Sequence, residues 1–370
     1  MAINILINAQ ALNSRGSLTV IKNVISDFHE HLKHTDDYKI TIIVSIRELM
    51  MYSSEKLRIL YKPKENLIKK FLFDKRMILK LIQEINADCY LCLSNTFLSS
   101  CTVPQYMFVH QSIHLSKLKI SEINPKIFIK YNIVLSLIHK FGLHKVKGII
   151  VQTEWVKDAI KEKYGYEGEI KVIRPSLITS NVDERMKPLP SIAFESSDTL
   201  QFIYPTSMDK YKNIARLVKA ITKYNEESAI KITLYITTEG QDSEYIKFTG
   251  KIPYESMYWM YNNVDALIFP SLTETLGLPL QEAMLNKIDV LVSDLPYARE
   301  VCGSYARYFN PRSVNSMVSE IKNYMKNRSK KREQYMFQGE AYSYVDFLNF
   351  ISSCERKVTQ EKYARDKKLV

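Results

Sequence analysis

The chain is poor in glycine, with only ten glycines among its 370 residues. It also lacks any long apolar run. Its most apolar stretches, near IFIKYNIVLSLI and KGIIVQT, are interrupted by Lys, Asn or Gln and fall short of the roughly 18 residues that a membrane span needs. The start, MAINILINAQAL, is too short and polar for a signal peptide. We therefore expect neither a membrane-spanning segment nor secretion.

Cysteine is scarce as well, and metal-binding patterns are missing. The five cysteines are an odd number in a chain without a secretion signal, which predicts reduced thiols in a cytoplasmic protein. Cys89 and Cys92 form a C-x-x-C within an alternating strand pattern, and no second Cys or His pair stands nearby. No Asp-x-Asp follows a strand, and no zinc-finger or RNP pattern occurs. We predict no required metal and no nucleic-acid partner.

Positive charge is abundant, and it is concentrated in the first half. Residues 1–177 carry a net charge of +10 and the remainder +2. Residues 56–147 hold 16 basic and five acidic residues, many flanked by Leu, Ile, Phe and Tyr. Such a surface suits anionic lipid headgroups or phosphates, although it is also compatible with a solvated face of a lysine-rich protein.

Short β-branched runs alternate with longer segments of helical periodicity, beginning with INILINA and LTVIKNVISDFHEHL. This order predicts βαβ units and parallel sheets. The alternation lapses into a polar, proline-containing link at residues 178–198 and then resumes. We predict an α/β protein with two doubly wound, Rossmann-like domains at residues 1–177 and 199–341. A last helical pattern, at about 342–370, is expected to pack back on the first domain.

The segment PSLTETLGLPLQEAM, residues 270–284, follows the apolar strand pattern DALIFPS. Gly277 permits a backbone conformation that a β-carbon would forbid, and Pro279 suits the first position of a helix. Open parallel sheets bind ligands beyond the carboxyl ends of their strands, and the start of a helix favours anions. The segment therefore predicts a phosphate site in a cleft between the domains.

Two glutamates, Glu274 and Glu282, flank this helix start. Carboxylates beside a phosphate would repel it unless they face uncharged groups, so we expect both to accept hydrogen bonds from sugar or ribose hydroxyls. The alternative is structural: Glu282 favours the helix start and Glu274 is a solvated loop residue.

The segment resembles the Glu-x7-Glu motif of family-4 glycosyltransferases, which are retaining enzymes of the GT-B fold that use nucleotide-sugar donors. Further pieces resemble the same family in the same order over most of residues 1–311: YMFVHQ, IIVQTEWVKDAI, IKVIRPS, KYKNIARLVKAI and VLVSDLPYAREVCGSYARYFNP. The resemblance points to the branch that builds bacterial surface polysaccharides such as O-antigen.

The resemblance also implies roles for individual residues. Glu282 would hold the nucleotide ribose, and Glu274 would lie against the donor sugar. Lys212 would neutralise the diphosphate, and the backbone amides after Gly277, at Leu278, would contact it. His110, which ends a strand pattern of the first domain, would lie near the donor sugar.

Some positions depart from the family pattern. Thr206 and Ser207 stand where many relatives have an arginine, so a second cation would come from Lys210 or elsewhere. The usual Gly-Phe after the first glutamate is replaced by Thr275 and Leu276, and the double glycine of the first loop is reduced to Gly16. The resemblance still assigns four residues to the donor site: Gly16, Lys210, Thr275 and Leu276. It does not identify the donor sugar.

From this resemblance we predict a retaining, metal-independent hexosyltransferase without a cofactor beyond its donor substrate, a UDP- or GDP-sugar. Attack at the front face, assisted by the leaving phosphate, is the expected mechanism. The predicted acceptor is a hydroxyl of a lipid-linked saccharide, reached from the cytoplasmic face of the plasma membrane through peripheral contact with anionic lipid. A soluble acceptor, a nucleotide-sugar epimerase of the same architecture and a catalytically silent binding subunit are the alternatives.

Overall fold

The computed structural model describes residues 2–13, 15–63, 67–174, 188–189, 199–328 and 343–366. The chain folds into two compact units. Unit 1 comprises Met1–Leu115, Ile133–Ser176 and Glu340–Val370, and unit 2 comprises Ser116–Asn132 and Leu177–Gly339.

The strands are, in chain order, β1 (Ile3–Asn8), β2 (Tyr38–Val44), β3 (Leu57–Tyr61), β4 (Cys89–Cys92), β5 (Gln105–Val109), β6 (Gly148–Val151), β7 (Glu169–Val172), β8 (Thr199–Tyr204), β9 (Lys231–Ile236), β10 (Ile246–Phe248), β11 (Ala266–Phe269), β12 (Asp289–Ser293) and β13 (Arg307–Phe309). The α-helices are α1 (Arg15–Leu32), α2 (Leu67–Glu84), α3 (Pro125–Phe128), α4 (Ser136–Gly142), α5 (Glu154–Tyr164), α6 (Ile214–Glu227), α7 (Tyr254–Asn262), α8 (Leu278–Leu285), α9 (Pro296–Cys302), α10 (Val314–Asn327) and α11 (Val345–Asp366). Short 3-10 turns cover Arg47–Tyr52, Ile113–Leu115, Ile120–Glu122, Leu143–Lys145 and Lys210–Lys212, and a π-helical segment covers Ile129–Leu135.

Unit 1 is built on a parallel sheet with the strand order β3-β2-β1-β4-β5-β6-β7. In the middle of β1, Ile5 pairs with Ile40 on one side and with Cys89 on the other. The sheet strands are apolar runs because helices cover both faces, as a parallel sheet requires. The core of this unit includes Ile7, Phe28, Ile42, Leu91 and Phe108.

Helix α11 completes the core of unit 1. Its residues Phe347, Leu348 and Ile351 are buried with the side chains of α1 and the sheet. The helix entry is fixed by Asp27 of α1, whose Oδ2 accepts from the backbone N–H of Tyr344 at 2.8 Å. The chain end thus belongs to the unit in which the chain begins.

Unit 2 contains a second parallel sheet, ordered β10-β9-β8-β11-β12-β13. Phe202 of β8 pairs with Leu234 and with Ala266, so β8 and β11 are neighbours although β9 and β10 lie between them in the chain. Their carboxyl ends therefore meet at one edge of the sheet. The prediction of two parallel α/β sheets is confirmed.

Two features differ from the sequence-based description. Strand β3 was not predicted, because its residues lie within a run of basic and aromatic side chains. Residues 116–132 were assigned to the first domain, but they pack with unit 2. Glu122 holds this segment there, since its buried carboxylate accepts from Arg312 at 2.9 Å and from Arg216 at 3.4 Å.

Candidate active site

The loop between β11 and α8 is shaped by Gly277. This residue has φ +75°, in the left-handed region, and a β-carbon there would lie 3.0 Å from Leu280 Cδ1. The expectation of a glycine-specific conformation is confirmed. Helix α8 begins at Leu278, so Pro279 occupies its second position and not the first. The backbone N–H of Leu280 donates to Gly277 O at 2.9 Å.

Hydrogen bonds tie this loop to the 3-10 turn that follows β8. The Tyr204 hydroxyl donates to Lys212 O at 2.7 Å and lies 2.8 Å from Ser271 Oγ. The backbone N–H of Leu272 donates to Tyr211 O at 2.8 Å. Since Tyr204 and Ser271 are buried, the two segments form one rigid edge at the carboxyl ends of β8 and β11.

Lys212 and Glu274 meet at this edge. Lys212 Nζ lies 2.5 Å from Glu274 Oε1, and their side chains are 16% and 15% exposed. Asn213, in the left-handed conformation at φ 64°, closes the turn by donating to Pro270 O at 3.2 Å and to Pro311 O at 2.7 Å. Glu274 is therefore not a solvated loop residue. Its carboxylate forms an ion pair with the Lys212 ammonium group.

Glu282 lies in the second turn of α8 and is 7% exposed. Its Oε2 accepts from the Tyr261 hydroxyl at 2.7 Å. Burial raises the pKa of Glu282, and the Tyr261 hydrogen bond opposes this rise. The first turn of α8 contains no acidic residue, so Glu282 does not serve as a helix-start charge. A buried carboxylate with one oxygen engaged suits a ligand hydroxyl on the other.

The remaining unit 2 candidates lie around this edge. Lys210 is exposed at the start of the 3-10 turn, Thr275 is half-buried and the Leu276 side chain is buried. Leu276, which is buried, thus anchors the loop. Where relatives carry arginine, Ser207 Oγ donates to Asp209 Oδ2 at 2.7 Å.

His110 lies in unit 1, directly after β5. Its backbone N–H donates to Asn95 Oδ1 at 2.8 Å, and its Nε2 lies 3.2 Å from Asn95 Nδ2. Burial lowers the pKa of His110 to about 4, so the imidazole is neutral at physiological pH. Its ring packs against Phe108 at a centroid distance of 5.5 Å.

Gly16 was expected in the loop before the first helix. Helix α1 already begins at Arg15, so Gly16 lies in its first turn, which corrects that placement. The structure brings Lys212 and Glu274 into contact and places Gly277, Leu278 and Glu282 on the same loop and helix. Their catalytic and binding roles stay predictions, as do those of His110 and Gly16.

Three supporting residues were missed by the sequence analysis: Asn95, Tyr204 and Tyr261. Asn95 carried a usable signal, because it follows one strand pattern as His110 follows the next, and parallel neighbours end at the same edge. Tyr204 closes its strand pattern similarly. Tyr261 had no such signal, since its contact with Glu282 depends on how α7 packs.

No helix among the described residues is both long and apolar enough to span a membrane. The five cysteines are free thiols, and four of them, including Cys89 and Cys92, are buried.

Residues 190–340 match the family model described as Glycosyl transferases group 1. The O-antigen chain mannosyltransferase RfbU of Salmonella typhimurium is 26% identical over 198 residues, which are 50% of this chain and 52% of that protein. The O-antigen chain mannosyltransferase B of Escherichia coli is 24% identical over 133 residues, 32% of this chain and 35% of that protein. The chain thus spans about half of the length of the first of these curated relatives and about a third of the second.

Solved structures resemble most of the chain at low identity. Sucrose-phosphate synthase from Thermosynechococcus elongatus has a TM-score of 0.66 at 13% identity, covering 88% of this chain and 90% of that one. The Anabaena protein HepE in complex with UDP and glucose has a TM-score of 0.63 at 10% identity, covering 98% and 100%. UDP-GlcNAc 2-epimerase from Methanocaldococcus jannaschii has a TM-score of 0.55 at 12% identity, covering 95% and 100%. These likenesses show the fold, which is of the GT-B type.

Proposed function

From the match of residues 190–340 to the family of group 1 glycosyl transferases, we propose that the protein transfers a sugar from a nucleoside diphosphate sugar to a hydroxyl of a saccharide acceptor. The observation that carries this proposal is the half-buried Lys212–Glu274 ion pair beside the start of α8. It places a cation, a carboxylate and a helix start at one sheet edge, and a diphosphate with an attached sugar needs all three.

The helix start and Lys212 would bind the diphosphate. Among the first residues of α8, Pro279 has no N–H and Leu280 donates to Gly277 O. This leaves the Leu278 amide for a phosphate oxygen, in the positive field of the helix start. On donor binding, Lys212 Nζ would exchange the Glu274 carboxylate for the diphosphate. Glu274 would then accept from sugar hydroxyls.

The ribose would bind at Glu282. Its Oε2 is engaged by Tyr261, so a ribose hydroxyl would donate to Oε1. Because Tyr261 is fully buried, the carboxylate is held in one orientation before the nucleotide arrives. Such preorganisation lowers the entropic cost of binding.

In the proposed transfer, the acceptor oxygen bonds to the anomeric carbon while the bond from that carbon to the phosphate oxygen breaks. The acceptor's hydroxyl proton passes to the leaving phosphate on the same face, which retains the anomeric configuration. Lys212 would stabilise the charge that develops on the leaving diphosphate, a contribution worth about 10² to 10³ in rate. We propose that these groups suffice without a metal ion.

The sugar and acceptor are proposed from two lines of support. The two curated relatives are named as O-antigen chain mannosyltransferases, so a nucleoside diphosphate mannose is the first donor to test. Unit 1 exposes Ile133, Val134, Leu137 and Phe141 in consecutive helical segments, next to exposed Lys140. An apolar face with basic neighbours suits an anionic membrane surface and hence a lipid-linked acceptor. We propose that the protein acts there, at the inner face of the plasma membrane.

Glu274→Gln tests the proposal. The variant keeps the side-chain shape but cannot neutralise Lys212. With GDP-mannose or UDP-sugars and a bacterial lipid-linked saccharide fraction, the unaltered protein should release nucleotide and lengthen the acceptor. Glu274→Gln should lower the transfer rate at least 100-fold. Glu226→Gln, which changes an exposed glutamate of α6, should leave the rate unchanged.

Three outcomes would contradict the proposal. Full activity of Glu274→Gln would show that the site is elsewhere. Recovery of an isomerised nucleotide sugar without transfer would identify an epimerase. Nucleotide binding without any turnover, over a complete screen of donors and acceptors, would identify a silent binding protein.

A further inference from the structure

Asn95 contacts His110 with both ends of its side-chain amide. Its Oδ1 accepts from the backbone N–H of His110 at 2.8 Å and of Gln111 at 3.0 Å. Its Nδ2 lies 3.2 Å from His110 Nε2. Asn95 is only 8% exposed, so these contacts are made away from bulk water.

The two backbone contacts fix the orientation of this amide. Backbone N–H groups can only donate, so the Asn95 oxygen must face them and its NH2 group must face the imidazole. An amide NH2 group only donates. His110 Nε2 therefore accepts, and the proton of the neutral ring lies on Nδ1.

The backbone of Asn95 is held equally firmly. Its φ of 58° lies in the left-handed region, which asparagine tolerates better than most residues. Its carbonyl oxygen lies 2.8 Å from Nε2 of His139, a buried residue. His139 in turn packs edge-on against the rings of His114 and Tyr164 at 4.9 and 5.5 Å. The amide thus projects from a rigid, buried aromatic cluster.

We propose that Asn95 is a positioning residue that fixes His110 in the Nδ1-protonated, neutral form and holds the main chain at His110 and Gln111. The kinetic part of this inference rests on the proposed function, for which the family resemblance assigns His110 to the donor sugar. A ring with one tautomer and one orientation holds the adjoining main chain of His110 and Gln111 in a constant position. The low pKa of His110 agrees with this arrangement.

Two variants separate the components of this role. Asn95→Asp has the same shape, still accepts from both backbone amides and tolerates the left-handed backbone. It replaces the donor at Nε2 by an acceptor, which would draw the proton to Nε2 and raise the pKa of His110. Asn95→Gly keeps the left-handed backbone and removes the amide altogether.

The test combines nitrogen NMR of the histidine ring with kinetics. Ring nitrogen shifts, assigned by comparison with His110→Ala, should show Nδ1 protonated in the unaltered protein from pH 6 to 9, and Nε2 protonated in Asn95→Asp. Both Asn95 variants should lower kcat at least tenfold, with a smaller change in KM for the donor. Asn95→Asp combined with His110→Ala should be no slower than His110→Ala alone.

A purely structural Asn95 would tolerate the isosteric aspartate and leave the tautomer unchanged, which would overturn the inference. It would also be overturned by Nε2 protonation in the unaltered protein, by additive rate losses or by full activity of His110→Ala. The NMR measurement needs no donor, so it decides the inference even if no transfer is found. Absence of transfer alone would count against the proposed function.

Discussion

At the scale of single residues, the site combines an ion pair, whose two charges stabilise each other, with a carboxylate that is hydrogen-bonded to a neutral group. Lys212 and Glu274 are partners. Among the described residues, the Glu282 carboxylate accepts a hydrogen bond from the neutral Tyr261 hydroxyl, and burial raises the pKa of this carboxyl group. A buried carboxylate without a cation is costly to fold, and such residues are characteristic of functional sites.

Glu282→Gln should therefore stabilise the protein and weaken donor binding. A raised carboxyl pKa means that the native state disfavours the ionised form, so this cost is fully present above the native pKa and disappears as the pH falls below the unfolded value. We expect a gain of about 1 kcal/mol in the free energy of unfolding at pH 8. The gain should shrink at about pH 4, near the ordinary glutamate pKa.

Urea unfolding at the two pH values measures this effect, and titration calorimetry with UDP and GDP measures the loss of affinity. Tyr261→Phe is the companion variant, since it removes the hydrogen bond that the glutamine would keep. It should lower stability. A Glu282→Gln protein that is less stable at pH 8 would show that the carboxylate has a compensating partner.

At the scale of elements, the loop before α8 depends on one backbone conformation. Gly277→Ala adds a β-carbon at φ +75° and at 3.0 Å from Leu280. The strain, about 1 kcal/mol, would be relieved by moving the helix start that is proposed to hold the diphosphate. We expect a loss of stability together with at least a tenfold loss of nucleotide affinity.

Gly165→Ala is the matched control. Gly165 has φ +62° at the end of α5, and a β-carbon there would meet nothing within 4 Å. It should lose similar stability in thermal unfolding but bind nucleotide normally. If both variants lost nucleotide affinity equally, the loss in Gly277→Ala would be a consequence of lower protein stability and not of a displaced helix start.

The elements also show what could be predicted from sequence. The strand and helix order apart from β3, the left-handed Gly277 and the α/β class followed from local patterns, since these depend on neighbouring residues. Local patterns could not predict the contact of Glu282 with Tyr261 or the placement of residues 116–132, because these depend on packing between distant segments. Lys212 was identified only by resemblance, and its contact with Glu274 requires knowing that β8 and β11 are neighbours.

At the scale of the whole molecule, the charge asymmetry and the exposed apolar face belong to the same half of the sequence. Ile133, Leu137 and Phe141 are spaced by four residues and are 44–68% exposed, so they share one helical face. Serine at Ile133 and Phe141 should reduce binding to vesicles containing anionic lipid at least tenfold, because apolar burial drives interfacial binding.

Ile230→Ser provides the comparison, since Ile230 is an exposed apolar residue of unit 2. It should leave vesicle sedimentation unchanged. The binding should also weaken with salt if basic residues contribute. Unchanged sedimentation of the Ile133/Phe141 variant would remove the proposed membrane face and favour a soluble acceptor.

The central claim is that Lys212 and the start of α8 hold a diphosphate. Calorimetric titration of UDP and GDP into the unaltered protein, Lys212→Met and Lys219→Met tests it most directly, since Lys219 is an exposed lysine of α6. We predict that one nucleotide binds the unaltered protein and Lys219→Met equally, and Lys212→Met at least tenfold more weakly. Binding of neither nucleotide, or equal binding to all three proteins, would contradict the account.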